Sequence, residues 1–377
     1  MAFEHYIRSG KRLLRCGYTT GTCAALAAKG AAELLLSGIA PESVEIVTPK
    51  GLTVSVTPDF CRMEGEKSLC GIIKDAGDDT DVTDGMTICA VLEKTDSGIT
   101  VDGGAGVGRV TKAGLDQPIG AAAINRVPRE MIRDAVLSVC DKYGYNGGIS
   151  VTITVPNGEN AAKKTFNPTI GVEGGISILG TSGIVEPMSS QALVDTIELE
   201  QRQARLADNR LILTPGNYGY DYIRAKGLDR AGVPVVRCSN FIGDALDIAA
   251  NLRFSQVLLV GHIGKLVKIA GGVMNTHSKY ADCRAELFCA HAAISGADGE
   301  LCRGLMECVT ADGCIELLET AGLRDAVSQS ITNAVQLHLD RRVNGDYTVG
   351  AVIFSNIYGQ LGTTDTAKEM IQKWYDS

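Results

Sequence analysis

The sequence predicts a two-domain protein of the α+β and α/β classes. Three observations carry this expectation. The chain has 377 residues, more than one hydrophobic core ordinarily serves. Its pattern changes near Pro187, from strands, glycine-rich turns and two helices to a regular alternation of short apolar strands and helices. Aromatics make up 5% against 45% hydrophobic residues, so Val, Ile, Leu and Ala must build the cores. The expected division is 1–188 and 189–377: an α+β domain, then an α/β domain whose mainly parallel sheet is covered on both faces.

In the first half, alternation and β-branched residues predict strands at 44–47, 52–57, 87–92 and 149–155. Residues 24–36 read as a helix, rich in Ala and Leu, with Thr20 or Thr22 available as cap and Gly38 as stop. Residues 129–143 form a second helix, introduced by Pro128. In the second half, strands are expected at 210–213, 233–237, 256–260 and 349–354. Helices are expected at 191–208, 242–252, 282–295 and 325–339, with further helices beginning near 220 and 266.

A net charge of −8 argues against nucleic acid, which requires a basic face. No apolar run reaches membrane-spanning length, and residues 1–17 hold no signal-like stretch, so a cytoplasmic protein without a membrane partner is expected. Homo-oligomerisation is left open. The twelve cysteines include no C-x-x-C pair, and the spacing of Cys283, Cys289, Cys302, Cys308 and Cys314 fits no common cluster motif. Reduced, mostly buried thiols and no protein-bound metal are the expectation.

In open parallel sheets, ligands bind beyond the carboxyl ends of the strands. Here the strands lead into Thr214-Pro215-Gly216-Asn217-Tyr218-Gly219, Cys238-Ser239-Asn240, Gly261-His262-Ile263-Gly264-Lys265 and Ser355-Asn356. Glycine permits close approach, and a helix N-terminus offers unpaired N–H groups. One such turn needs no ligand to explain it, because turns and caps use these residues anyway. Several on one sheet, one with His and Lys, point to a nucleoside or carboxylate. His262, Lys265 and Lys268 share one helical face, open to a ligand or to solvent. His277, in a polar loop, reads as structural.

Three segments stand out in the first half. Gly17-Tyr18-Thr19-Thr20-Gly21-Thr22 opens the first helix, as an anion site or an ordinary cap. Lys74-Asp75-Ala76-Gly77-Asp78-Asp79 gathers carboxylates beside a lysine, for a metal, a base or a solvated turn, with the turn favoured. Asp102-Gly103-Gly104-Ala105-Gly106-Val107-Gly108 matches the D-x-G-x-G-x-G loop of Rossmann-type methyltransferases. That loop must enter a helix, whereas residues 109–115 are β-branched and glycine-broken, so it reads as a decoy for that fold. A glycine-rich binding loop beside Arg109 and Lys112 remains open.

Taken together, these blocks resemble the CbiD family, the cobalt-precorrin-5B (carbon 1)-methyltransferases of anaerobic cobalamin synthesis. The resemblance rests on Gly17-Tyr18-Thr19-Thr20-Gly21-Thr22-Cys23-Ala24-Ala25, the Lys74 block, Gly106-Val107-Gly108-Arg109-Val110-Thr111-Lys112, and Thr181-Ser182-Gly183-Ile184-Val185-Glu186-Pro187-Met188. It continues through the Thr214 block, Ser239-Asn240-Phe241-Ile242-Gly243-Asp244, the Gly261 block and Met274-Asn275-Thr276-His277-Ser278. Ala113 and Thr80 stand where the family commonly has proline.

The resemblance implies a first domain similar to the second domain of ribosomal protein S5 and a second, three-layer α/β domain. It implies S-adenosylmethionine as co-substrate and an anionic corrinoid whose cobalt belongs to the substrate. On that chemistry, Gly216, Asn217, Tyr218, Gly219, Ser239, Asn240, Gly261 and Gly264 are expected to hold the donor. Thr19, Thr20, Gly21, Thr22, Lys74, Arg109, Lys112 and Lys265 would grip the ring's carboxylates. Tyr218 could face the sulfonium, and His262 or Asp75 could serve as base. A non-catalytic corrinoid carrier and a nucleotide-dependent enzyme of another class are the alternatives, the latter without a P-loop or a strand–helix G-x-G-x-x-G to support it.

Overall fold

The computed structural model describes residues 3–9, 12–165, 167–187 and 189–376. The chain divides into two compact units, Met1–Ser189 and Ser190–Ser377. Met188, at the end of one block named above, lies outside the described residues. The structure is mixed α/β, with helices and sheets in both units.

In the first unit, helix Thr20–Ser37 begins at Thr19, whose hydroxyl accepts from the Thr22 N–H, and stops at Gly38 with φ 76°. Its Ala-rich face packs on the sheet and on helix Arg126–Tyr143. Small side chains are required, since a Cβ at Gly30 would lie 2.7 Å from the Cys70 Sγ. The sheet runs Phe60–Glu64, Lys67–Ile73, Thr87–Thr95, Gly148–Thr154, Ile99–Gly103, antiparallel except for the last pair. Residues 44–47 and 53–56 form a separate hairpin. The strands Phe60–Glu64, Lys67–Ile73 and Ile99–Gly103 were not expected from the sequence, because charged residues, glycine and solvent-facing positions blur their alternation.

The second unit's sheet runs Val235–Arg237, Arg210–Thr214, Gln256–His262, Thr348–Ser355, Gly359–Thr363. The first four strands are parallel and the fifth antiparallel. Leu211, Leu213, Val257, Leu259, Ala351 and Ile353 join one core, while Ile212, Leu258, Val260, Val352 and Phe354 join another. Alternate residues of one strand thus feed cores on opposite faces, which is why these strands read as unbroken apolar runs. Helices Ile242–Asn251 and Arg324–Val343 cover the first face. Asn217–Lys226 and Asp365–Asp376 cover the second, through Ile223, Ala367, Met370 and Trp374. Each fully buried aliphatic side chain here contributes about 2 kcal/mol.

Among the described residues, no helix is long and apolar enough to cross a membrane, and no cluster of three His, Cys, Asp or Glu could hold a metal ion. The cysteines are free thiols.

Candidate functional site

A cavity of about 580 Å³ opens in the second unit beyond the ends of its parallel strands. Its wall comes from the turn after Arg210–Thr214, from the turn after Gln256–His262, and from residues 284 and 310–312. Gly216, Asn217, Tyr218, Gly219, His262, Gly264 and Lys265 line it, together with Pro215, Arg284, Thr310, Ala311 and Asp312.

Each turn has a local cause. Gly216 has φ 153°, a value that favours glycine, and it delivers the chain into helix Asn217–Lys226. Gly219 is fixed by packing, since a Cβ there would lie 1.8 Å from the Thr214 Oγ1. Asn217 Oδ1 accepts from Arg237 Nη1 at 3.2 Å. Tyr218 is exposed, with its ring 6.3 Å from that of His262.

His262 caps helix Ile263–Ile269: its Nδ1 accepts from the Gly264 N–H at 3.1 Å. A neutral ring accepting at Nδ1 carries its proton on Nε2. That nitrogen lies 3.7 Å from Asp312 Oδ2. Burial pushes the His262 pKa below its ordinary value, with Asp312 pulling the other way. The ring therefore stands neutral at pH 7, but its basic nitrogen is already occupied. This geometry makes His262 a cap and a proton donor more readily than a base.

Lys265 Nζ donates to the carbonyls of Pro215 (2.6 Å) and Ser239 (3.3 Å), tying two strand-end turns together. Burial pushes its pKa down. It belongs to the same cavity as the expected donor residues. Ser239, at φ 52°, contributes that carbonyl but does not line the cavity. Asn240 Oδ1 accepts from the Thr276 hydroxyl at 3.2 Å, and Gly261 is small because a Cβ would meet Leu266 at 2.9 Å. Both are accounted for by packing.

Sequence reasoning missed Arg284 and Asp312. Asp312 lies in the first turn of helix Ala311–Thr320, which follows no strand, so the strand-end rule could not find it. Ser355 Oγ donates to Asp312 Oδ1 at 2.6 Å and accepts from the N–H groups of Ile357 and Tyr358. The fourth turn thus acts through Asp312. Arg284 Nε and Nη2 pair with the Asp282 carboxylate.

The first-unit candidates fare differently. Thr19, Thr20 and Thr22 are buried: Thr22 donates to the Gly183 carbonyl at 2.7 Å, and Thr20 accepts from the Leu179 N–H at 3.0 Å. A Cβ at Gly21 would meet Pro128 at 2.7 Å. The helix start expected to bind an anion is covered by the protein's own residues 177–184. Lys74 is 2% exposed and donates to Asp81 Oδ2 at 2.7 Å, so its charge is already spent. Asp75 is gripped by Arg15, with Nη2 to Oδ1 at 2.7 Å, and that bond holds its carboxyl below the ordinary range. A carboxylate so paired is a poor base, which corrects the expectation for Asp75.

Arg109 pairs with Asp102 (Nη1 to Oδ1, 2.9 Å) and is largely exposed, as is Lys112. The glycine loop leads into the short strand Arg109–Val110, and no helix follows until Arg126. Gly106, at φ 75°, instead lets the loop press against the Val155 carbonyl.

The CbiD family model matches residues 7–187, and the model of the CbiD C-terminal domain matches residues 275–365. The cobalt-precorrin-5B C(1)-methyltransferase of Ruminiclostridium cellulolyticum is 45% identical over 98% of this chain and 98% of its own. The chain belongs to the CbiD family. A second CbiD relative, the cobalt-precorrin-5B C(1)-methyltransferase of Alkaliphilus metalliredigens, is 40% identical over 98% of this chain and 97% of its own. The crystal structure of the cobalamin biosynthesis protein (cbiD) from Archaeoglobus fulgidus is 31% identical, covering 73% of this chain and 86% of that one, with a TM-score of 0.40. The turns at 215–219 and 262–265 fall between the two CbiD models, whereas Arg284 and Asp312 fall within the second.

Proposed function

We propose that this protein transfers a methyl group from S-adenosylmethionine to carbon 1 of cobalt-precorrin-5B, giving cobalt-precorrin-6A in anaerobic cobalamin synthesis. The observation that carries this is end-to-end identity of 45% to a cobalt-precorrin-5B C(1)-methyltransferase. The cavity supports it: its volume of about 580 Å³ suits a nucleoside-sized ligand. The co-substrate supplies an activated methyl group, so the protein's task is alignment, worth about 7–11 kcal/mol in favourable cases.

On this reading, Gly216 and the N-terminus of helix Asn217–Lys226 hold the donor at close range. Lys265 keeps two turns in register, and Tyr218 presents a ring face to the sulfonium. Arg109 and Lys112 remain the first-unit groups best placed to meet substrate carboxylates, because they are exposed where Lys74 and the threonines are buried. The finer architecture belongs to the same reading: a first unit similar to the second domain of ribosomal protein S5, and a three-layer second unit.

The test is direct. Incubation with S-adenosylmethionine and the ring-contracted substrate should add one methyl group by mass spectrometry. Gly216→Val should abolish donor binding in calorimetry while the melting transition survives. A folded Gly216→Val protein with wild-type donor affinity would remove this cavity from the reaction.

A further inference from the structure

Asp312 is the acidic side chain lining the cavity, among the described residues. The two cations beside it are engaged elsewhere, Lys265 with the carbonyls of Pro215 and Ser239 and Arg284 with Asp282. The hydrogen bond that holds Asp312 comes from a neutral hydroxyl, that of Ser355. His262 Nε2 stands 3.7 Å away, beyond hydrogen-bonding distance, on a ring that burial keeps neutral. The cavity wall therefore carries a half-buried carboxylate that, among the described residues, forms no ion pair with a lysine or arginine, the Lys265 ammonium being held by neutral carbonyls.

We propose that Asp312 is the residue by which this site distinguishes a sulfonium donor from its spent thioether. This rests on the reading of the cavity as the donor site and deepens it. In the transfer, the carbon nucleophile supplies the pair for the new C–C bond, and the pair of the broken methyl–sulfur bond stays with sulfur. The donor arrives with a positive sulfur and leaves with a neutral one. A fixed carboxylate in a low-dielectric wall attracts the first more than the second. The ammonium and carboxylate of the donor are the same before and after, so their contribution cancels in the comparison. Ser355 is a positioning residue: the N–H groups of Ile357 and Tyr358 fix its hydroxyl, and its hydroxyl fixes Asp312.

The experiment is calorimetry on the full chain with S-adenosylmethionine and S-adenosylhomocysteine. Asp312→Asn keeps an acceptor for Ser355 and removes the charge. It should lower the ratio of donor to product affinity about tenfold. Asp312→Glu should recover much of that ratio. Should Asp312→Asn fail to fold, the wild type decides: raising the salt concentration must weaken donor binding more than product binding. Equal losses for the two ligands in Asp312→Asn, or a wild-type ratio indifferent to salt, would overturn the assignment and leave the cavity reading intact. Failure of wild type to bind either ligand would overturn both.

Discussion

Buried charge sets the behaviour of single residues in the first unit. The segment of Lys74 reads from sequence as a solvated turn, and the family resemblance implies that Lys74 grips substrate carboxylates. The structure buries it and satisfies it with Asp81, seven positions on. Nothing in a single sequence marks which of four nearby carboxylates will be the partner. Removing either member should cost unequally. Asp81→Asn strands a buried ammonium and should cost about 4 kcal/mol. Lys74→Met leaves a carboxylate with some solvent and two bonds from Thr83, and should cost about 2 kcal/mol. Burial opposes ionisation of Asp81, but Lys74 and Thr83 outweigh it and hold the carboxyl below its ordinary range. A depressed folded-state value gives stability that is full above about pH 4 and lost as pH falls through it. Urea midpoints from pH 6 down to about pH 3 should show a steep acid limb in wild type and a shallower one in Lys74→Met.

The elements were legible where burial is one-sided or complete, and illegible where close backbone packing decides. The four parallel strands of the second unit are buried on both faces and stand out as apolar runs. Helix Thr20–Ser37 was legible from its alanines and from Gly38. The contacts of Thr20 and Thr22 at its start were not, because their side-chain partners are backbone groups of residues 177–183, some 160 positions away. The glycine loop 103–108 was legible only negatively, as a strand rather than a helix entrance. Its glycines can be tested against each other. Gly106 (φ 75°) and Gly120 (φ 88°) share the left-handed conformation, but a Cβ at Gly106 would lie 1.9 Å from the Val155 oxygen, while at Gly120 nothing lies within 4 Å. Gly120→Ala should therefore cost only the conformational strain, about 1 kcal/mol. Gly106→Ala should cost that plus a backbone displacement, about 3 kcal/mol or more. Thermal melts of the two variants would decide, and equal losses would mean that the loop is not held against Val155.

At the scale of the whole molecule, each unit carries its own hydrophobic core, one of residues 16–184 and two of residues 197–374. The cavity residues run from Pro215 to Asp312, all within the second unit. The strand-end turns hold eight of them, residues 215–219, 262, 264 and 265, because βα turns are contiguous in sequence. The strand-end rule missed Arg284, Thr310, Ala311 and Asp312 because they reach the cavity from helices, and a helix cap, inserted between the third and fourth parallel strands. If the donor site is built by this unit's own sheet and helices, a chain of residues 190–377 should fold alone and bind S-adenosylmethionine within about threefold of the full-length affinity. The same fragment should methylate nothing, because the exposed Arg109 and Lys112 proposed to meet the substrate carboxylates belong to the first unit. A folded fragment, verified by a cooperative melt, that binds no donor would remove this cavity as a self-sufficient donor site. A fragment that still methylates the corrinoid would remove Arg109 and Lys112 from substrate recognition, since neither residue would be present.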